Sequence, residues 1–262
     1  MDFNIVGNPM TALGLTLPRI AGAFLMLPLI TNDNMPALVR NSFLVSLAIV
    51  ALPIALAGLP AGGLGVEAMA PIILKELFLG IAIGFCFGIV FWAIGAAGNM
   101  LDTQIGMSMA SVMDPIQGHQ ASLHATFLSQ LAAWLFMASG AFLVFLDLLL
   151  ASYSIWPVMS FWPNLHAVGM ELFVGQFGYL MTAALLLAAP AMVILLIIDL
   201  SFGLVNRYAP SLNVFALTLP IKAWLATAII LLMLGSLVEF VLRRLGDSQG
   251  LLRVLQTVFG TG

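Results

Sequence analysis

The sequence predicts an all-α protein that crosses a membrane several times, and three observations support this fold class. Apolar residues make up 62% of the 262-residue chain, which has only 8 basic and 11 acidic side chains. A soluble domain is about 25% charged, so this chain could not cover a water-facing surface. Three long runs carry no charge at all: 41–66, 77–101 and 172–198. These runs also lack the alternating polarity of barrel strands, which favours helices in lipid.

The same composition excludes several classes of function. A soluble enzyme, a disordered regulator and a collagen-like fibre are all incompatible with it. The net charge of −3, without a basic patch, argues against nucleic-acid binding. The single cysteine, Cys86, cannot form an intramolecular disulfide and is expected to be a buried apolar side chain.

Six segments reach the roughly 20 apolar residues that a spanning helix needs. In chain order they are 10–31, 41–59, 71–99, 125–151, 173–199 and 217–241. The first is interrupted by Arg19 and is the weakest as a simple span. No repeat or low-complexity stretch divides the chain, so the sequence predicts one integral membrane domain over residues 1–262.

The segments between these spans are polar or rich in glycine and proline. They are 32–40, 58–66, 102–124, 152–171 and 200–216. Trp156 and Trp162 indicate an interfacial turn with aromatic anchors. The arginines of the C-terminal tail favour a cytoplasmic location for that end, and six spans would then place the N-terminus there too. The N-terminus has no basic residue before Arg19, so no cleavable signal peptide is expected.

Three glycines in the third segment lie on one helix face. Gly80, Gly84 and Gly88 are spaced four residues apart. Small residues at this spacing allow another helix backbone to approach closely. The pattern predicts a tight helix–helix contact, either within the chain or with another subunit.

Ionisable residues at membrane depth are expensive, so each is a functional candidate. Those in or at the ends of apolar segments are Asp102, Asp114, Asp147, Asp199 and Glu239. Pairing is favoured over proton transport. Arg243 lies four residues after Glu239, a good spacing for a helical ion pair. Arg207 and Lys222 are candidate partners for Asp199.

The sequence predicts no catalytic, cofactor-binding or metal-binding residues, and therefore no enzyme. The three histidines, His119, His124 and His166, do not have metal-ligand spacing and are interpreted as loop residues. Nucleotide-binding and hydrolase motifs are also absent from the sequence.

Small residues and methionines alternate after the third segment, at Gly106, Met107, Ser108, Met109, Ala110, Ser111, Val112 and Met113. Methionine is flexible and fills irregular gaps. Such a stretch at membrane depth has to pack against protein or line a cavity. It can be interpreted as a deformable plug or as an ordinary loop with core methionines, and composition does not separate the two. Asp114-Pro115 is expected to set the turn that follows.

Several motifs together resemble the SctT/FliR family, the inner-membrane components of the type III secretion export apparatus and of its flagellar relative. They are Ala97-Gly98, Asp102-x-Gln104-x-Gly106-x-Ser108-x-Ala110, Asp114-Pro115, Ser152-Tyr153, Trp156-Pro157, Asn206-Arg207-x-Ala209-Pro210, Asn213 and Pro220-x-Lys222. The resemblance covers nearly the whole chain and is specific in combination. The Asp102–Gln104 pair, Asn206-Arg207 and Lys222 look more like the virulence (injectisome) branch than the flagellar branch.

The resemblance implies a structural subunit of the export gate, through which unfolded secreted polypeptides cross the bacterial inner membrane. Multiple copies of two other small membrane subunits would complete a helical ring with it, largely on the periplasmic side. The membrane protein that switches substrate specificity would wrap the base.

The same resemblance assigns roles to individual residues. Residues 106–122 would form the pore-occluding loop, with Met107, Met109 and Met113 near the constriction. Asp102 and Gln104 would hold its base through polar contacts. The glycine face, Arg207 and Lys222 would lie at helix-packing or subunit interfaces. The flagellar counterpart is the first alternative. A secondary transporter for a small solute and an intramembrane hydrolase are weaker ones.

Overall fold

The computed structural model describes residues 3–29, 35–56, 66–106, 122–160, 168–211 and 213–247, and these contain only helices and their connections. The described residues form seven α-helices: α1 (Phe3–Leu25), α2 (Ala37–Leu56), α3 (Val66–Ile105), α4 (Leu123–Ala138), α5 (Ala141–Ile155), α6 (Val168–Tyr208) and α7 (Val214–Asp247). The predicted all-helical fold class is confirmed.

Four of these helices are long and apolar enough to cross a membrane, and α4 with α5 adds a fifth if that bent pair counts as one span. The six predicted segments therefore need two corrections. The helix predicted at 10–31 ends at Leu25, so Met10–Leu25 is shorter than a span. The segment predicted at 125–151 is broken at Ser139–Gly140, where Gly140 adopts a positive φ of 76° that favours glycine.

Several helices run further than the hydropathy pattern predicted. α3 has 40 residues and α6 has 41, so each rises about 60 Å along its axis. Asp102 and Gln104, expected in a loop, lie in the last turns of α3, and Arg207 lies in the last turn of α6. Asp102 and Gln104 continue α3 because their side chains find partners inside the protein, which hydropathy alone does not register.

The chain forms two compact units. Unit 1 consists of Met1–Ile89, Phe136–Gln176 and Leu245–Gly262, and unit 2 of Val90–Leu135 and Phe177–Arg244. The sequence carries no sign of this boundary, which cuts α3 and α6. That the whole chain is a single domain stays a prediction.

Unit 1 has an aromatic core between α1, α2, α3 and α5. The ring of Phe24 packs edge-on against Phe43 and Phe145, with centroids 5.6 and 5.2 Å apart, and Phe87 packs edge-on against Phe145 at 5.3 Å. The tryptophan expected to anchor this region at the membrane interface, Trp156, is instead buried, and its indole donates to the Ser160 carbonyl at 2.7 Å. Trp162 lies outside the described residues.

Unit 2 is built from the second part of α3 with α4, α6 and α7, and small residues bring its helices close together. A Cβ at Gly98 of α3 would overlap the backbone of Ala125 on α4. Ala184, Ala188 and Ala226 are fully buried on α6 and α7. The close approach of α3 and α4 places Asp102 beside the beginning of α4.

Candidate functional site

Asp102 on α3 caps the N-terminus of α4. Its Oδ2 accepts hydrogen bonds from the Ser122 hydroxyl at 2.5 Å and from the amides of His124 and Ala125 at 3.1 and 3.3 Å. The first amides of a helix lack partners within the helix, and the dipole favours a negative charge there. One buried carboxylate in the last turns of α3 thus contacts Ser122, the first described residue after segment 107–121.

The other carboxylate oxygen of Asp102 contacts His124. Oδ1 lies 2.5 Å from Nδ1 of the imidazole, and the two side chains are only 6% and 11% exposed. On its other side, Nε2 of His124 lies 3.0 Å from Oγ1 of Thr227 on α7. The sequence interpretation of His124 as a loop histidine is wrong. The residue lies in the first turn of α4 and joins α3 to α7.

The order Asp–His–Thr resembles a hydrolytic triad, but the hydrogen bonds argue against that chemistry. The Thr227 hydroxyl donates to the carbonyl of Ala223 at 2.8 Å, one turn earlier in α7. A nucleophile would instead have to give its proton to the imidazole. Within the described part of the chain, no group of three or more histidine, cysteine or acidic residues could hold a metal ion.

Gln104 belongs to a second polar cluster, made by α3, α6 and α7. Its amide nitrogen donates to Oδ2 of Asp199 at 3.1 Å, and its carbonyl accepts a hydrogen bond from Nζ of Lys222 at 3.0 Å. Lys222 also forms an ion pair with Asp199. The pairing of Asp199 with Lys222 is therefore as the sequence suggested. Arg207 is exposed near the end of α6 and takes no part in the ion pairs of the described residues.

Gly106 ends α3. Its φ is +97°, and its amide donates to the carbonyls of Asp102 and Thr103, as at the left-handed end of many helices. The predicted plug residues that follow, Met107, Ser108, Met109, Ala110, Ser111, Val112 and Met113, lie outside the described residues. Asp114 and Pro115 also lie outside them, as do His119 and His166.

A pocket of about 550 Å³ opens in unit 2 between α3, α4 and α7. Its wall is almost entirely apolar and includes Ile105, Leu123, Phe127, Leu219, Ile230 and Leu231. His124 and Thr227 also line it, so their hydrogen bond lies at the pocket wall. The pocket therefore gives the buried Asp102–His124 pair an opening on one side.

Unit 1 contains a third cluster, centred on a charge pair that the structure buries completely. The guanidinium of Arg19 on α1 makes two hydrogen bonds to the carboxylate of Glu76 on α3, at 2.6 and 2.8 Å. It also donates to Ser152 Oγ at 3.0 Å and to the Trp156 carbonyl at 2.9 Å. The side chains of Arg19 and Glu76 are both 0% exposed.

Lys75 adds a second cation to this cluster. Its ammonium lies 2.8 Å from Oε1 of Glu76 and donates to the carbonyls of Pro157, Val158 and Ser160, at 2.7 to 3.2 Å. These carbonyls belong to the turn after α5. The sequence analysis did not identify this cluster, although charges in apolar segments usually have a partner.

The predicted glycine face packs against α1 of the same chain. A Cβ at Gly80 would overlap the Arg19 carbonyl, and one at Gly84 would overlap the backbone of Ala23. Gly88 is buried on α3. At Gly80 and Gly84 the close contact thus lies within the chain, where the resemblance would place it between subunits. The contact also brings Arg19 up to Glu76.

A family model for bacterial export proteins, family 1, matches residues 10–248. The chain belongs to this family. Every contact of the three clusters lies within the matched residues, so the clusters belong to the part of the chain that defines the export family.

Curated relatives agree with this assignment. The chain is 35% identical to the Yop proteins translocation protein T of Yersinia pestis, over 88% of this chain and 89% of that protein. It is 32% identical to the surface presentation of antigens protein SpaR of Salmonella typhimurium, over 82% and 79%. The flagellar biosynthetic protein FliR of Bacillus subtilis is 30% identical, over 86% of each chain.

The resemblance to the SctT/FliR family is thus confirmed, and the higher identities to the secretion proteins favour the injectisome branch. This export-family chain is a multi-pass protein of the bacterial inner membrane and has a role in type III protein secretion.

Proposed function

We propose that the chain is a structural, channel-forming subunit of the type III secretion export gate, and that residues 106–113 plug the channel. Unfolded polypeptides would cross the inner membrane through the assembled gate. The observation that carries this proposal is the pair of polar clusters at the borders of segment 107–121. Both are made by residues of helices, so the positions at which the segment begins and ends are held by the fold.

The first border cluster joins the last turns of α3, before the segment, to the beginning of α4 after it. Asp102, one turn before the segment, binds Ser122, His124 and Ala125 immediately after it. The second cluster holds the α3 end against α6 and α7 through Gln104, Asp199 and Lys222. These contacts support the anchoring role assigned to Asp102 and Gln104.

The chemistry of the segment suits a seal for a channel that passes varied polypeptides. Its methionines are apolar and have three rotatable bonds, so they can close around a gap and then yield without breaking specific bonds. Apolar constrictions block ions by dewetting. A plug of this kind has to be tethered at its ends, which is what the two border clusters supply.

The partners we propose are multiple copies of two small export-gate membrane subunits and the membrane protein that switches substrate specificity. Large apolar side chains on α6 and α7 support extensive coverage by other protein or lipid. Leu186 and Leu200 are 67% and 63% exposed, and Trp224 and Leu232 are 79% and 87% exposed. The chain would form a closed ring with these copies and would carry no catalysis of its own.

The plug is tested in the assembled gate by the triple variant Met107→Ser, Met109→Ser, Met113→Ser. We expect assembly to be retained and the ion conductance of the purified gate in a planar bilayer to rise. The matched control replaces the same three methionines by leucine, which keeps the apolar volume and should keep the gate closed. Deletion of residues 107–113 gives the largest expected leak. Unchanged conductance after that deletion, in a gate of normal composition, would refute the plug.

The flagellar alternative is kept because a FliR protein is 30% identical to this chain. Complementation separates the two branches. We expect the chain to restore secretion in a strain that lacks its injectisome homologue and not motility in a strain that lacks FliR. The reverse result would assign the chain to flagellar export.

A further inference from the structure

Both ring nitrogens of His124 have a hydrogen-bond partner in this structure. Nδ1 faces Asp102, whose other oxygen already accepts two main-chain amides. Amide donors favour the ionised carboxylate, so the proton between the two side chains belongs to Nδ1.

Thr227 is the hydrogen-bond partner of the other ring nitrogen, Nε2. A threonine hydroxyl has one proton to donate. Ala223 offers a carbonyl oxygen 2.8 Å from Oγ1, and a carbonyl can only accept. With that proton committed, the 3.0 Å contact between Oγ1 and Nε2 of His124 is a hydrogen bond only if Nε2 also carries a proton. The observed geometry therefore fits the doubly protonated imidazolium.

Loss of the Nε2 proton would force a choice on Thr227. Its hydroxyl could turn to Nε2 and abandon the Ala223 carbonyl, or keep that bond and lose its link to α4. In either case one of the two hydrogen bonds disappears. A single proton thus distinguishes a fully bonded junction of α3, α4 and α7 from a weakened one.

The surroundings allow a proton to reach this site. His124 and Thr227 both line the 550 Å³ pocket of unit 2. The charged groups of the two border clusters already have partners. Asp102 of α3 is the counter-charge of the imidazole, while Lys222 of α7 is held by Asp199 of α6 and by the Gln104 carbonyl. An imidazole also changes its charge in the range of pH that cells experience.

We propose that Nε2 of His124 is a proton-binding site, and that the bound proton ties α4 to α7 through Thr227. Its effect on the channel rests on the proposed function. If segment 107–121 is the plug, the proton sets how firmly the second border of the plug is held, because His124 is the third residue after the segment.

The site is tested by solid-state ¹⁵N NMR of the histidine side chains in the assembled gate, with His119 and His166 replaced by glutamine so that only His124 reports. We expect both ring nitrogens to be protonated in mildly acidic buffer and only Nδ1 in mildly alkaline buffer. A neutral imidazole throughout the range from about pH 5 to 8 would overturn the proposal.

Thr227→Val keeps the shape of the side chain and removes the oxygen that accepts from Nε2. At a fixed pH we expect it to lower the ratio of imidazolium to imidazole about fivefold, the effect of one ordinary hydrogen bond. Thr227→Ser, which keeps the hydroxyl, should restore the ratio. A ratio that is the same in all three proteins would overturn the role of Thr227.

The ion conductance of the assembled gate distinguishes the proton-site proposal from the plug proposal. We expect the leak of the otherwise wild-type gate to increase from acidic to alkaline pH, and Thr227→Val to show the alkaline level at all pH values. If NMR shows the expected change in protonation but the leak does not depend on pH, the proton site is retained. Its link to the seal of the channel is then overturned. A leak that is unaltered by deleting residues 107–113 would overturn the plug itself, whatever the NMR result.

Discussion

The buried ion pair of unit 1 and the polar clusters of unit 2 hold helices together in different ways. Arg19 and Glu76 are fully buried. The Ser152 hydroxyl and the Trp156 carbonyl accept further hydrogen bonds from the Arg19 guanidinium. In unit 2, Asp199 is 35% exposed and His124 lines an open pocket. Arginine stays protonated at any relevant pH, whereas histidine does not.

The difference separates a permanent joint from an adjustable one. Breaking the Arg19–Glu76 pair would strand a charge in a dry interior, so that pair has to form whenever unit 1 is folded. The clusters of unit 2 are smaller and partly exposed to solvent. They lie at the two borders of segment 107–121. Four single-residue variants test this contrast.

Arg19→Leu should have the largest effect, because it leaves Glu76 with only Lys75 as a charged partner. Removal of one member of a buried pair costs about 3–5 kcal/mol of unfolding free energy. We expect little folded protein, measured as protease-resistant chain in membranes. The double variant Arg19→Leu, Glu76→Leu leaves neither of the two charges and should recover part of the loss. If the single and double variants lose the same amount of folded protein, the Arg19–Glu76 pair does not act as a permanent joint.

Gly84→Val should come second, because its side chain would meet the backbone of Ala23 on α1. Overpacking of this kind typically costs about 1–3 kcal/mol. The measurement is the thermal unfolding midpoint of the purified gate. Gly14→Ala on α1 is the matched control, since its Cβ meets nothing within 4 Å, and it should be neutral or slightly stabilising. Similar losses in both variants would argue that α1 and α3 do not pack as described.

Asp199→Asn should have a smaller effect on stability, about 1 kcal/mol, because water reaches its side chain and Lys222 keeps the Gln104 carbonyl. Its effect on the channel should be larger than its effect on folding. We expect the unfolding midpoint to fall by only about 2–4 °C, with raised ion conductance of the assembled gate. A loss of stability as large as that of Arg19→Leu would remove the contrast between the two units.

Glu239→Gln should be silent. Its ion pair with Arg243 has the predicted i,i+4 spacing and is confirmed at 2.5 Å, but the two side chains are 61% and 78% exposed. Exposed pairs contribute little. We expect an unchanged unfolding midpoint and unchanged conductance, measured in parallel with Asp199→Asn. A clear loss would mean that assembly buries this surface.

The sequence predicted the helical class and the pairing of Asp199 with Lys222, because long apolar runs and isolated charges are visible in one dimension. It missed the pair between Arg19 and Glu76, which are 57 positions apart in the chain. The signal was present, since Arg19 interrupts an apolar run and requires a counter-charge. Choosing Glu76 among the acidic residues needed the approach of α1 to Gly80 and Gly84, which only the fold supplies.

His124 was missed for a different reason. Its spacing from His119 excluded a metal site, and a histidine beside a polar stretch is usually a loop residue. The capping carboxylate lies 22 residues earlier on another helix, so local sequence gives no sign of it. The predicted ends of α3 and α6 were too short for the same reason, because hydropathy scores Asp102 and Asp199 as polar regardless of their partners.

The length of α6 has a consequence for how the chain can reside in a bilayer. Its candidate span, Phe173–Tyr208, is 36 residues long, mostly exposed and apolar apart from a few polar residues such as Asp199 and Arg207. It rises about 54 Å, against a hydrocarbon core of about 30 Å. Tilt alone would have to reach about 55° to absorb this hydrophobic mismatch, whereas spanning helices tilt by up to about 40°. An orphan copy of the chain would therefore leave apolar helix surface in water, and we expect cellular quality control to degrade it unless partners arrive during biogenesis.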